Sequence, residues 1–528
     1  MNNLHTAIVI VLSFWLAFAG VSCQDANQQQ ASTADAESVS YDEQYRPQFH
    51  FTPAENWIND PNGLVYHDGE YHLFYQYNPF GDQWGHMSWG HAVSTDLMHW
   101  EELDVALQEE DGIMIFSGSA VVDKQNTSGF GSEENPPMVA IYTGHHDSED
   151  NPKQDQRIAY STDNGRSWTK YKGNPVIDED MENFRDPKVI WHDETEKWIM
   201  VVALPTEYKV RFYSSNNLID WELESEFGPA GGTDGIWECP DLFKLPVDGS
   251  GGESRWVLQV DMNPGAVAGG SGGQYFVGDF DGSEFTESEE TKGETLWVDY
   301  GKDFYAVQSY SNSPDGRRIW LAWMNNWNYA GEIPTNPWRG AMTIPRQVGL
   351  TSTEDGPRLT QKPVNELDTI AEEAQQFKNV TISDGLFTDE NLEGTTYKIE
   401  ADIQLNDADR VGFNLRKGDE EQTIVGYNVM DKKLFVDRRN SGDISFHEDF
   451  AADFQTAPLR LKENILTLEI LVDRSSVEVF TGNGERSITN RIFPGESSTG
   501  IEIFSEGGAA EVLNLDFQDL QSTWSKSQ

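Results

Sequence analysis

Five short apolar runs decide the fold of this chain: Tyr71-His72-Leu73-Phe74-Tyr75, Met138-Val139-Ala140-Ile141-Tyr142, Trp198-Ile199-Met200-Val201-Val202, Trp256-Val257-Leu258-Gln259-Val260 and Ile319-Trp320-Leu321-Ala322-Trp323. Each follows a turn, and they recur about every sixty residues. Before most of them stands another strand and a hairpin turn, as in Leu64-Val65-Tyr66 then Asp68-Gly69, or Val189-Ile190-Trp191 then Asp193-Glu194. After the first three comes a strand running into Ser94-Thr95-Asp96 to Trp100, Ser161-Thr162-Asp163 to Trp168, and Ser214-Ser215-Asn216 to Trp221. Paired strands with turn residues between them, and no helical period, mean antiparallel sheet. Five copies fit an all-β, five-bladed β-propeller, whose innermost strands converge on one axis. An array of β-sandwiches is the rival arrangement, and the turn chemistry shared by the repeats argues against it.

The pattern changes after Pro363. Residues Leu367 to Asn379 read as a short helix and linker. Short alternating strands follow, among them Thr396 to Glu400, Ile424 to Tyr427 and Leu466 to Leu471. Ser476 to Phe480 then runs into Asn483-Gly484, a hairpin signal. The expected organisation is a propeller over 43–362, a linker over 363–374 and a C-terminal β-sandwich over 375–528.

Ahead of the propeller, Ala7 to Ala19 form an apolar run too short to span a bilayer comfortably, which fits a signal-peptide core, although Met1 to Thr6 carry no Lys or Arg. It ends at Gly20-Val21-Ser22-Cys23, a sequence like a bacterial lipobox, so 1–23 reads as a leader with Cys23 as the lipidated residue; plain secretion is the alternative. The Gln/Ala/Ser-rich stretch behind it makes 24–42 a disordered tether.

The 528 residues include 89 Asp plus Glu against 37 Lys plus Arg, a formal charge of −52. Such a surface repels nucleic acid and anionic lipid, so a membrane is approached only through the lipid anchor. The two cysteines, Cys23 and Cys239, leave the body without a disulfide framework. No Asp-x-Asp-x-Asp-Gly run suggests calcium, and the pair His145-His146 lacks a partner at metal-ligand spacing, so no metal or other cofactor is expected. The Gly-rich segment from Gly265 to Gly273 reads as a mobile rim loop rather than a phosphate cradle, because no helix follows it.

Three acidic motifs stand where the first strands of the first, third and fourth repeats are about to start: Trp57-Ile58-Asn59-Asp60-Pro61-Asn62-Gly63, Phe184-Arg185-Asp186-Pro187 and Trp237-Glu238-Cys239-Pro240-Asp241. Taken singly, Asp60 is as well explained as a turn acid capping backbone amides. Three carboxylates in register with the repeat are better explained by a shared channel. Mutual repulsion there keeps a proton on one of them while another stays ionised, the division of labour that glycoside hydrolysis requires.

These motifs, with Phe116-Ser117-Gly118-Ser119, the Trp84-Gly85-His86 and Trp89-Gly90-His91 segments, Pro337-Trp338-Arg339-Gly340 and Asp473 to Phe480, resemble glycoside hydrolase family 32 from residue 46 onward. The resemblance implies a retaining β-fructosidase that releases terminal fructose from fructans such as levan and inulin, and from sucrose. It implies Asp60 as nucleophile, Glu238 as acid/base and Asp186 as transition-state stabiliser. Asn59, Gln76, Trp84, Phe116, Ser117, Arg185, Trp338 and Trp57 would line the pocket for the end sugar. Cys239 would support Glu238 by packing. A fructosyltransferase or related furanosidase, and a non-catalytic glycan-binding propeller, are the alternative readings. The bland reading of the aromatic positions is ordinary strand packing.

Overall fold

A computed structural model describes residues 41–148, 152–249 and 251–524; the expected leader with Cys23, and the tether as far as residue 40, lie outside them. The described chain has no α-helix, only two 3-10 turns at Pro205–Glu207 and Asn365–Thr369. Five separate antiparallel sheets form a five-bladed propeller, and a ten-stranded sheet forms the C-terminal sandwich.

The five quoted runs are the second strands of the blades, within Glu70–Asn78, Met138–His146, Lys197–Leu204, Ser254–Asn263 and Arg318–Trp323. They are the most apolar because they are sandwiched by neighbouring blades on both faces, and their central residues are buried without alternation. The innermost strands are Asn56–His67, Ile113–Val122, Arg185–His192, Ile236–Pro246 and Tyr305–Ser309. Blade one takes a further short strand from late in the chain, Trp338–Arg339, which runs parallel to its inner strand.

After the second 3-10 turn, strand resumes at Gln375 and runs through Asn379. The turn is short because Ile370 closes it and the next residues pair with the far end of the chain. Gly500–Asp519 is a 20-residue strand that pairs with Arg410–Lys417 through its first part and with Tyr397–Gln404 through its last. It therefore belongs to both faces of the sandwich, whose interior is filled by residues such as Val411, Phe413, Ile470, Val479 and Phe517.

Candidate active site

Every innermost strand carries the same irregularity. In blade one Ile58 pairs with Tyr77 and Pro61 with Tyr75, so Asn59 and Asp60 together oppose Gln76. The same two-against-one step holds Phe116 and Ser117 in blade two, Asp186 and Pro187 in blade three, Cys239 and Pro240 in blade four, and Ala306 and Val307 in blade five. These are β-bulges, which break the pleat and re-aim side chains. Asp186, Cys239 and Ala306, equivalent residues of three successive blades, have φ of 65°, 48° and 56°. Non-glycine residues pay strain to sit there, and such strain collects at functional sites.

The bulges correct one expectation. The acidic motifs do not precede the first strands but lie inside them. Pro61, Pro187 and Pro240 look like strand breakers, yet a bulge is a position in a sheet where proline is tolerated.

Because the bulges are in register, equivalent residues meet around the axis. One level holds Arg185, Glu238 and Tyr305. Arg185 donates from Nε and Nη2 to Glu238 Oε1 at 3.0 and 2.9 Å, and the Tyr305 hydroxyl bonds Glu238 Oε2. In the bulge of blade one, Asp60 accepts from Ser117 Oγ at 2.6 Å and from Asn59 Nδ2 at 3.0 Å. Trp57 Nε1 donates to Asn59 Oδ1 at 2.8 Å, which turns the amide so that its NH2 faces Asp60. Asp186 accepts from the Cys239 backbone N–H at 2.9 Å, and Cys239 Sγ lies 3.6 Å from both Asp60 Oδ2 and Asp186 Oδ2. The thiol thus separates two carboxylates, a closer involvement than support for Glu238, and burial pushes its pKa well up, so it stays neutral. Further down, Lys188 Nζ lies 3.2 Å from Asp241 and donates to Gln308 Oε1 at 3.3 Å.

Exposure falls along this axis. Arg185 and Glu238 side chains are 11% and 18% exposed, against 4% and 0% for Lys188 and Asp241. The mouth is therefore at the strand starts. Beneath the acids a cavity of about 10 Å³, lined by Asn62, Ser117, Asp186, Cys239 and Gln308 among others, is far too small for a sugar. A groove of about 1630 Å³ lies elsewhere, between blades four and five and the sandwich, and holds none of the three acids.

Burial raises the pKa of Asp60, and the charge of Glu238 adds to this, while the Ser117 and Asn59 bonds oppose it. Burial also raises Asp186 well above the ordinary carboxylate range; Arg185 opposes, and the charges of Glu238 and Asp60 reinforce. A single guanidinium serves a cluster of acids, so the set retains a proton that free carboxyl groups would have lost.

The aromatic expectations divide. Trp84 is 46% exposed at the mouth and stands edge-on to Phe116, ring centroids 6.1 Å apart. Trp57 and Trp338 are each only 1% exposed. Trp57 packs against Trp323 and Trp327, and the face of Trp338 is covered by the Arg46 guanidinium, 3.7 Å from the ring centroid. Both rings are packed mainly against protein. Gln76, also buried, ties blade one to blade two by donating to the Ile115 carbonyl at 3.0 Å. The Gly265–Gly273 segment, expected to be loose, is tethered: Asn326 Nδ2 donates to the carbonyls of Gly269 and Ser271 at 3.2 and 3.4 Å.

Sequence reasoning missed Tyr305, Asn62 and Asp261. Asn62 Nδ2 donates to the Asp60 carbonyl at 3.1 Å, and its Oδ1 accepts from the Gly118 N–H at 3.1 Å. A side chain at Gly118 would put Cβ 2.1 Å from the Ile141 carbonyl oxygen, so only glycine lets Ser117 come so close to Asp60. Asp261 pairs across the sheet from Glu238 and accepts at 3.1 Å from the N–H of Val307, within the bulge that follows Tyr305. Asn62 was legible in the Asp60 motif; Tyr305 follows Gly301 and Asp303 but has no Pro after it to mark a bulge, as Asp60, Asp186 and Cys239 do.

The model for the Glycosyl hydrolases family 32 N-terminal domain matches residues 50–363, and that for the family's C-terminal domain matches 366–519. A levanase of Bacillus subtilis is 50% identical over 502 residues, covering 94% of this chain and 73% of the relative. An extracellular exo-inulinase of Aspergillus niger is 42% identical over 522 residues, covering 93% and 97%. Among solved structures, an exo-inulinase from Aspergillus awamori superposes with a TM-score of 0.87 at 43% identity, covering 92% of this chain and all of that one, 100%. A fructofuranosidase from Schwanniomyces occidentalis complexed with fructose gives 0.83 at 35% identity, covering 92% and 100%.

Proposed function

The chain belongs to glycosyl hydrolase family 32 and is a glycoside hydrolase; from that premise we propose that it is a retaining exo-β-fructosidase that releases terminal fructose from levan, inulin and sucrose. The observation that carries the reading is the convergence of Asp60, Asp186 and Glu238 from three blades on one axis, each served by different hydrogen-bond donors. Asp60, bound by Ser117 and Asn59, attacks the anomeric carbon of fructose. Glu238, held by Arg185 and Tyr305 nearer the mouth, protonates the departing oxygen and then takes a proton from water. Asp186 binds fructose hydroxyls and opposes the positive charge that develops in the transition state.

The buried residues below the acids, Lys188 and Asp241 among them, support exo action by closing the axis on that side. A closed pocket accepts a chain end, and an internal segment would have to thread through packed strands. Incubation with levan or inulin is expected to yield free fructose as the main early product with little fall in polymer length. An early ladder of oligosaccharides would defeat the exo assignment.

The leader and the extracellular relatives support export. The finer reading is lipid attachment at Cys23, tested by labelling with palmitate in a bacterial host, with Cys23→Ser as control; unlabelled wild-type protein in the medium would exclude it.

A further inference from the structure

His145 lies at the mouth, one step above the acid/base. It is the first residue beyond the buried part of its strand, pairing with Met114, while Ile115 stands at the level of Glu238 in the ring of bulges. Its ring stacks on Phe116, centroids 4.3 Å apart and planes within 9°. Trp84, Phe116 and His145 thus form a continuous wall that starts beside Ser117 and rises out of the pocket.

The protonation pattern of that imidazole is set from below. Gln154 Oε1 accepts from the Phe184 N–H at 2.8 Å and from Arg185 Nη1 at 3.3 Å. Both partners are donors only, so the oxygen must face them and the amide NH2 must face the other way. That NH2 lies 3.2 Å from His145 Nδ1. Nδ1 is then the acceptor, and the hydrogen of the neutral ring sits on Nε2, across the ring from Gln154. Burial disfavours the charged ring and, although Asp147 opposes, Arg185 adds to the effect, so the neutral form is the one in play. The Phe184 N–H and Arg185, which also holds Glu238, together determine that the wall ends in an N–H donor.

We propose that His145 is a specificity residue for the leaving group: its Nε2–H donates to a hydroxyl of the sugar unit on the far side of the scissile bond, while that unit rests against the Phe116–Trp84 wall. The inference rests on the proposed fructosidase reading. In that reading the departing oxygen lies at Glu238, so the departing sugar extends toward the mouth, where His145 stands. A ligand that can use this donor is a hydroxylated glycosyl unit; an aryl leaving group cannot.

The test compares His145→Ala and His145→Gln with wild type on a fructosyl trisaccharide and on nitrophenyl β-fructofuranoside. Losing one hydrogen bond of roughly 1–1.5 kcal/mol corresponds to about a tenfold fall. The ratio of kcat/KM on the trisaccharide to that on the aryl fructoside should drop about tenfold in His145→Ala and recover in large part in His145→Gln, whose amide keeps a donor. An unchanged ratio in His145→Ala, including equal losses on both substrates, would overturn the proposal. Failure of the wild type to release fructose from the trisaccharide would instead overturn the fructosidase reading, so the two outcomes are distinguishable.

Discussion

Two groups of buried charges hold opposite kinds of chemistry in this molecule. At the propeller axis one guanidinium, Arg185, bonds Glu238 and acts on Asp186, while Asp60, Asp186 and Asp261 are all pushed up in pKa, mainly by burial. At the junction of propeller and sandwich, Asp299, Asp473 and Glu478 face two cations, Arg346 and His50. His50 bonds Asp473 through Nδ1 at 2.8 Å and Glu478 through Nε2 at 2.7 Å, so both ring nitrogens carry hydrogen. Backbone N–H groups of Gln48, Phe49 and Ile344 complete the carboxylates. Burial again works against charge, yet Arg346 and His50 hold Glu478 at about 2, and the two carboxylates hold His50 up at about 9. Both sites are largely buried, the junction more completely; they differ above all in the number of cations per carboxylate. A saturated cluster locks two parts of the chain together, and an under-neutralised one keeps a mobile proton and unspent acceptor capacity for a substrate.

The largest test of this contrast is Asp60→Asn. It keeps the shape and removes the attacking carboxylate, so turnover should fall by at least about a thousandfold. Stability should hold or rise, because one of several repelling acids has gone. Fructose release near the wild-type rate would break the assignment, and a marked loss of stability would erase the contrast.

Next comes Glu478→Gln at the junction. Breaking a fully buried pair takes from Arg346 and from the His50 imidazolium one of the two carboxylates that each contacts, at a cost of about 3–5 kcal/mol. Urea unfolding should show that loss while the folded enzyme turns over normally. A shift smaller than about 1 kcal/mol, the scale of surface pairs, would mean the cluster is not a lock.

The smallest effect is in the pH dependence of stability. The folded pKa of His50, about 9, lies above its ordinary 6.5. Its contribution is therefore complete below pH 6.5 and is lost as pH rises through 9. For Glu478 the folded value of about 2 lies below the ordinary 4.5, so its contribution is present above 4.5 and lost as pH falls toward 2. Unfolding midpoints should decline above pH 6.5, and His50→Gln should flatten that alkaline limb. An identical alkaline limb in His50→Gln would remove the imidazolium from the account.

Part of this was legible without coordinates. The five apolar runs, spaced by turns, determined a propeller, because alternation, turn chemistry and repetition are local properties of a chain. Asp60, Asp186 and Glu238 were visible because each sits in a motif of Pro and aromatic residues that no strand propensity would select. Their place inside the strands was not visible, since a bulge is defined by the partner strand and Pro61, Pro187 and Pro240 look alike whether they end a strand or bend it. Tyr305, Asp261 and the link from Arg185 through Gln154 to His145 join residues of different blades, and pairings across blades leave no mark on spacing. How tightly Trp57 and Trp338 are packed was not legible, because an aromatic residue beside such a motif has the same letter whether its ring is open or covered by Arg46. His50 and Glu478 lie 428 positions apart. What the sequence determined by itself was which residues could carry charge and where strands would turn; only the tertiary structure decided how many cations each buried carboxylate would meet, because that number depends on which distant segments the blades and the sandwich bring within hydrogen-bond reach.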